Sequence, residues 1–163
     1  MKVKYKFKTK PYKHQQECLE RSWYKENYAL FMEMGTGKSK VLIDNIAMLY
    51  KKDKINFAVV IAPKGVYRNW SEIEIPTHMP DEIKKRVIVW KTKLSKADKD
   101  VLSKRRDYPF YEDLIIFVVN VEAFSSLRGK RLAEWLTSNG YGDKGMIAID
   151  ESTTIKNHKA KRT

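Results

Sequence analysis

The chain holds one cysteine, Cys18, among 163 residues, so no disulfide can form within it. No Cys/His pair has the spacing of zinc ligands, and a reduced, intracellular setting suits this composition. Long apolar runs are missing as well: Leu114–Val119, one of the longest, is far too short to cross a bilayer. The opening Met1-Lys2-Val3-Lys4-Tyr5-Lys6-Phe7-Lys8 has no apolar stretch of the kind a secretory leader needs. Acidic residues are scarce, 20 against 33 basic ones, for a formal net charge of +13. That imbalance favours a polyanionic partner, nucleic acid ahead of an acidic membrane surface. A basic protein without such a partner is the plainer alternative. A guanine-reading N-K-x-D is also absent, since Asn157-His158-Lys159-Ala160 does not match it; this disfavours a GTPase.

What is present reads as one α/β domain. The length leaves room for one core, and a 42% hydrophobic share is enough to fill it. Val3, Tyr5 and Phe7 alternate with Lys2, Lys4, Lys6 and Lys8, which predicts a strand with one wet face, an edge guarded by lysines or a basic strip facing DNA. A helix is expected from His14 to Lys25 and a short apolar strand from Tyr28 to Met32. The next helix, Lys38 to Lys51, is apolar on more than one side, as a buried helix should be. Further strands are expected at Phe57–Ala62, Arg86–Trp90, Leu114–Val119 and Gly145–Asp150. Helical stretches are expected at Val66–Ile75, from Ser95 with Asp98 completing a capping box, and at Lys130–Ser138. Strands without polar alternation, separated by helices, predict a mainly parallel sheet covered on both faces.

Two segments carry chemistry. Tyr28 to Ser39 runs strand, glycine loop, helix, with Gly35-Thr36-Gly37-Lys38-Ser39 at its centre. Phosphates need backbone N–H groups aimed inward, and glycines let the chain turn tightly enough to aim them. The helix that begins at Lys38 adds its free N–H groups and positive dipole end. In this reading Met34, Gly35, Thr36, Gly37, Lys38 and Ser39 cradle a nucleoside triphosphate, ATP in preference to GTP. Lys38 reaches the β- and γ-phosphates and the Ser39 hydroxyl holds Mg²⁺. The full G-x-x-x-x-G-K-[ST] pattern departs at Met32. Far along the chain, the apolar Met146-Ile147-Ala148-Ile149 delivers Asp150 and Glu151 at a strand's C-terminal end, where ligands gather in such sheets. Asp150 would bind Mg²⁺ directly or through water, and Glu151 would orient and deprotonate the attacking water. A glycine turn before a helix, or a capping Asp-Glu after a strand, explains either segment alone; the two together point to an NTP–Mg²⁺ site.

The motifs resemble the first RecA-like domain of a superfamily 2 helicase, nearest the SNF2-like DNA translocases and their bacteriophage and bacterial relatives. Pro11-Tyr12-Lys13-His14-Gln15 is similar to the Q motif, in which Gln15, or Gln16 in its place, would read the adenine edge. Glu33 to Ser39 resembles motif I. Ala62-Pro63-Lys64 with Asn69-Trp70 and Glu72 is similar to motif Ia, and Val119-Asn120-Val121-Glu122-Ala123 resembles the strand-end motif near the DNA backbone. Asp150-Glu151-Ser152-Thr153, followed by Ile155-Lys156-Asn157, resembles motif II and its extension, with Thr153 standing where the family has histidine. The resemblance implies the ATP-binding lobe of an ATP-dependent helicase or translocase. Its partners would be nucleic acid, DNA more than RNA, and a second RecA-like lobe. It also implies that residues 1–163 are an incomplete N-terminal domain without the motif III strand, leaving the strands of motifs I and II without a bridge.

Lesser residues keep two readings each. Lys64, Arg68, Asn120, Ser125 and Ser126 are candidates for nucleic-acid contact or ordinary solvated groups. Tyr12 or Phe7 could stack on adenine or pack under the sheet. The Lys96–Arg106 charge run is a wet helix face or a DNA contact, Trp70 reads as core, and Cys18 as a small buried hydrophobe. The alternatives at the level of function are a non-catalytic nucleic-acid-binding fragment with a vestigial phosphate loop and another P-loop NTPase.

Overall fold

A computed structural model describes residues 5–107, 113–124, 126–138 and 144–150. The order is α1 (Lys13–Ser22), α2 (Lys38–Lys51), β1 (Phe57–Ala62), α3 (Tyr67–Asn69), a π-helical turn (Trp70–Glu74) and α4 (Ile75–His78). There follow β2 (Lys85–Val89), α5 (Lys96–Asp107), β3 (Leu114–Asn120), α6 (Val121–Phe124), α7 (Leu127–Ser138) and β4 (Gly145–Ile149). The four strands form one sheet in the order β2-β3-β1-β4, and each pairing is parallel.

Strand β1 organises both layers. Its residues alternate between faces, and all six are buried. Ala58, Val60 and Ala62 meet Ile43, Ile46 and Ala47 of α2, together with Trp70, Ile75 and Met79. Phe57, Val59 and Ile61 join Phe117, Trp90, Leu102 of α5 and Leu132 of α7 on the opposite face. Phe117 receives the rings of Trp90 and Trp135 edge-on. Helices therefore cover both faces of a parallel sheet, as the unalternating strands predict. The Ser95–Asp98 capping box opens α5: Asp98 N–H donates to Ser95 Oγ, whose hydroxyl donates to Asp98 Oδ2.

Helix α2 turns into β1 through a left-handed residue. Asp53 (φ 53°) follows the helix, and the Lys54 and Asp53 N–H groups reach back to the carbonyls of Leu49 and Tyr50. This is the Schellman arrangement, with aspartate where glycine is usual. So short a return sets α2 antiparallel to β1 and carries its N-terminus toward the C-terminal edge of the sheet.

Two expected strands are not strands. Tyr28–Met32 pairs with nothing in the sheet, and Phe31 is 96% exposed. Leu30 and Met32 pack on Leu19, Val41 and Met48 instead. A strand needs a neighbour, and among the described residues no strand lies beyond β4 to bridge the gap; Ile147 and Ile149 stay exposed there. At the N-terminus, the described part of the other expected strand, from Tyr5 on, is an unpaired strap over α2. Tyr5 and Phe7 do point to one side, edge to face with each other, and pack against the α2 cluster. Lys8 Nζ donates to the Pro76 carbonyl, and Thr9 Oγ1 meets His78 Nδ1 at 2.7 Å, so the strap ties α2 to α4. Cys18 is half-buried.

Beneath the strap lies a buried ion pair, Lys40 Nζ to Asp44 Oδ2 at 2.6 Å, one turn apart on α2. Phe7 offers its ring to the same ammonium. Burial pushes the Asp44 carboxyl above its ordinary range against the pull of Lys40. Burial first, and the Asp44 charge second, holds the Tyr5 hydroxyl well above the usual phenol range. Tyr5 Oη and Asp44 Oδ1 are buried and each lacks a hydrogen-bond partner among the described residues. Breaking such a pair strands a buried charge. Asp44→Ala should therefore lower unfolding free energy in urea melts by about 3–5 kcal/mol, whereas Lys40→Met combined with Asp44→Leu should match or exceed the parent.

Candidate nucleotide site

The glycine loop is built by backbone that only glycine adopts easily. Gly35 (φ 76°) and Gly37 (φ 81°) are both left-handed, and Gly37 caps α2. The first-turn N–H groups of α2 have no carbonyl partner within the helix, so they face the loop as donors. The loop is held shut by its own side chains. Lys38 Nζ donates to the carbonyls of Met32 (3.0 Å) and Glu33 (2.9 Å), and Thr36 Oγ1 donates to the Glu33 carbonyl (2.7 Å). An ammonium has three donors, so one remains to Lys38. Ser39 follows, half-buried, in the first turn of α2.

Gln15 lies against this loop, 5% exposed. Its Nε2 donates to the Thr36 carbonyl (3.0 Å), and its Oε1 accepts from the Tyr12 N–H (2.9 Å), half of a capping box at the start of α1. Each end of the amide is thus engaged once with backbone, leaving one Nε2 hydrogen and one Oε1 lone pair. His14 Nε2 also lies 3.1 Å from the Thr36 carbonyl. Tyr12 is 71% exposed and stacked on the His14 ring, open to a base. Phe7, the other stacking candidate, is occupied by the α2 core and Lys40.

Asp150 follows β4 directly. Its N–H donates to the Ile61 carbonyl at 2.8 Å, continuing the β1–β4 ladder. Trp70 Nε1 donates to Asp150 Oδ2 at 2.9 Å. Trp70 does sit in the core, as its sequence context suggests, but its indole N–H reaches the candidate metal carboxylate. Glu74, in the same π-helical turn, has its carboxyl raised by burial, opposed by a hydrogen bond from Asn69 and assisted by the charge of Asp150. Trp70 falls within the motif Ia resemblance but reads there as core, and Glu74 belongs to no motif; the available signal was that a buried indole needs an acceptor. Glu151 and the rest of motif II, Ser152 to Asn157, lie outside the described residues.

The nucleic-acid candidates divide. Lys64 and Arg68 are exposed beyond the C-terminal end of β1, and the Arg68 Nε donates to the Tyr67 hydroxyl at 3.4 Å. Asn120 ends β3 beside Ala62, at the same edge, but its Oδ1 accepts the Ala123 N–H (2.6 Å) and so caps α6. Ser126 spends its hydroxyl on the Ala123 carbonyl and accepts from the Arg128 N–H at the start of α7. Ser125 lies outside the described residues.

Comparison with known proteins decides the family. The profile of the SNF2-related domain matches residues 14–163, nearly the whole chain. The chain belongs to the SNF2-related domain family. No curated protein matches it. Among solved structures it is similar to a nuclease-deletion mutant of the Type ISP restriction-modification enzyme LlaGI in complex with a DNA substrate mimic, with a TM-score of 0.53 at 16% identity. That match covers 87% of this chain and 17% of the other, so the chain spans a small part of that protein. The likeness supports the fold: a RecA-like arrangement, and with the family, a helicase-like motor domain.

The SNF2-related fold implies ATP and Mg²⁺, and the residues present suit both. A Cβ built on Gly35 would meet nothing, so the loop has open space on that side for a phosphate. Among the described residues no group of three or more His, Cys, Asp or Glu side chains could hold a metal by itself. Mg²⁺ at a nucleotide asks for less, one or two protein oxygens with phosphates and water completing the shell. A Cβ on Gly37, in contrast, would collide with Gln15 Nε2 and would force a side chain into left-handed backbone. Gly37→Ala should therefore displace Gln15 and distort the start of α2, weakening nucleotide binding in a fluorescence titration, while Gly35→Ala, strained but unobstructed, should weaken it less.

Proposed function

We propose that this SNF2-related domain is the ATP-binding lobe of a motor that couples ATP hydrolysis to movement along DNA. One observation carries the reading: a glycine loop, left-handed at both glycines, opens buried helix α2 at the edge of the sheet where β4 delivers Asp150. The loop amides and Lys38 would bind the phosphates, with Met34 and Thr36 as part of the cradle. Ser39 and Asp150 would hold Mg²⁺, which supplies charge neutralisation of the phosphates when bound. Glu151, next in the chain, would take the proton of the attacking water. Gln15 would read the adenine edge.

Nucleic acid would cross the C-terminal edge of the sheet, near Lys64 and Arg68. The net charge of +13 supports a polyanionic partner, and the similar restriction-modification enzyme was solved with a DNA substrate mimic. A second RecA-like lobe would complete the hydrolytic site, with residues 1–163 as the N-terminal half of the motor.

In the full-length protein, Lys38→Ala should abolish or severely weaken Mg·ATP binding in calorimetry; unchanged affinity in a folded variant would refute the site. Glu151→Gln keeps the shape without the base, so ATP should bind and turn over about 10²–10⁴-fold more slowly. Parental turnover would place the base elsewhere. DNA affinity should fall steeply with salt and hardly depend on sequence, and Lys64→Ala should weaken it uniformly. An affinity flat from low to physiological salt would argue against a backbone-driven interface.

A further inference from the structure

We propose that Trp70 is a positioning residue for Asp150: its indole N–H pins Oδ2, leaving Oδ1 as the oxygen that faces Mg²⁺ or its water. This rests on the reading of Asp150 as the magnesium carboxylate. Trp70 is 1% exposed and belongs to the core cluster that also holds Val60, Val118 and Met79. A buried indole N–H is a donor with no acceptor function, and it must find a partner or lose a hydrogen bond. Trp90 meets the same demand with a backbone carbonyl, that of Arg128, at 2.9 Å. Trp70 instead crosses to a different element and donates to a carboxylate.

The local backbone is shaped for that reach. The helical segment after β1 widens into a π-helical turn at Trp70–Glu74, and Asn69 Nδ2 bridges to Glu74 Oε1 at 3.2 Å across it. Such a turn shifts the following residues around the helix axis and recurs at functional sites. Asp150 is therefore fixed twice, through its own N–H to Ile61 and through Oδ2 to Trp70. A charge-assisted bond to one carboxylate oxygen sets the plane in which the other is presented. The indole does not touch nucleotide or metal in this scheme. Its effect would be to remove the rotation of a carboxylate that otherwise samples several orientations before it meets the ion.

The test is a Mg²⁺ titration of a fluorescent ADP analogue bound to the full-length protein, for the parent, W70F and D150N, alongside the affinity without metal. W70F should raise the Mg²⁺ midpoint about 10–100-fold and leave the metal-free nucleotide affinity unchanged; a merely structural role would move both. A parental midpoint in W70F, with D150N displaced, overturns the inference and leaves the site reading intact. A parental midpoint in D150N removes both. Should W70F fail to fold, ¹⁵N spectra of the indole N–H groups decide the matter without altering the tryptophan. The Trp70 resonance should shift upfield in Asp150→Ala and respond to Mg·ADP in the parent, and a resonance indifferent to both overturns the proposal.

Discussion

Strand β1 has water on neither face, and everything that matters at the candidate site is referred to it. Its even-numbered residues seat α2 and the segment that carries Trp70, while its odd-numbered residues seat β3's aromatic cluster and the helices of the opposite layer. Its last carbonyls receive β4 and, one residue further, Asp150. A strand buried this way cannot slip in register, since a shift by one residue would exchange the two faces and misplace both layers together. The position of a single carboxylate is thereby inherited from the packing of a whole sheet.

The glycine loop shows a different economy. Its cation is solvated by its own backbone: the Lys38 ammonium rests on two carbonyls, and Thr36 and Gln15 close the remaining span. These contacts hold the loop near the shape that an anion needs while leaving the helix N–H groups unspent. A phosphate at this loop would exchange weak neutral acceptors for charged ones, a change that favours the anion on electrostatic grounds.

Elements buried on both sides were legible almost to the residue: α2 from Lys38 to Lys51 and β1 from Phe57 to Ala62 stand where continuous apolar sequence places them. Alternating sequence was less informative. The Val3–Phe7 pattern reports that one side is covered, and Tyr5 and Phe7 are indeed half-buried, but it does not reveal whether the cover is a neighbouring strand or a helix. Tyr28–Met32 failed for a non-local reason, since an apolar segment becomes a strand only if the sheet offers it an edge. The turn at Gly35 and Gly37 was readable because its requirements are local. Trp70 was not, because its partner lies 80 residues away and burial alone looks the same for a packed indole and a bonded one. Asn120 was ambiguous for the opposite reason: a local capping bond competes with any distant ligand.

The turn at Asp53 has a mechanical consequence. Asp53 holds the left-handed position that ends α2, and its carboxylate also accepts from Lys144 Nζ at 2.9 Å, just before β4 begins. The neighbouring Asn56 N–H donates to the Lys144 carbonyl. The helix that carries the glycine loop and the strand that carries Asp150 are thus joined at their far ends, like the arms of a caliper about a common pivot. The glycine loop and Asp150 thus sit on two elements that share a junction at the opposite edge of the sheet.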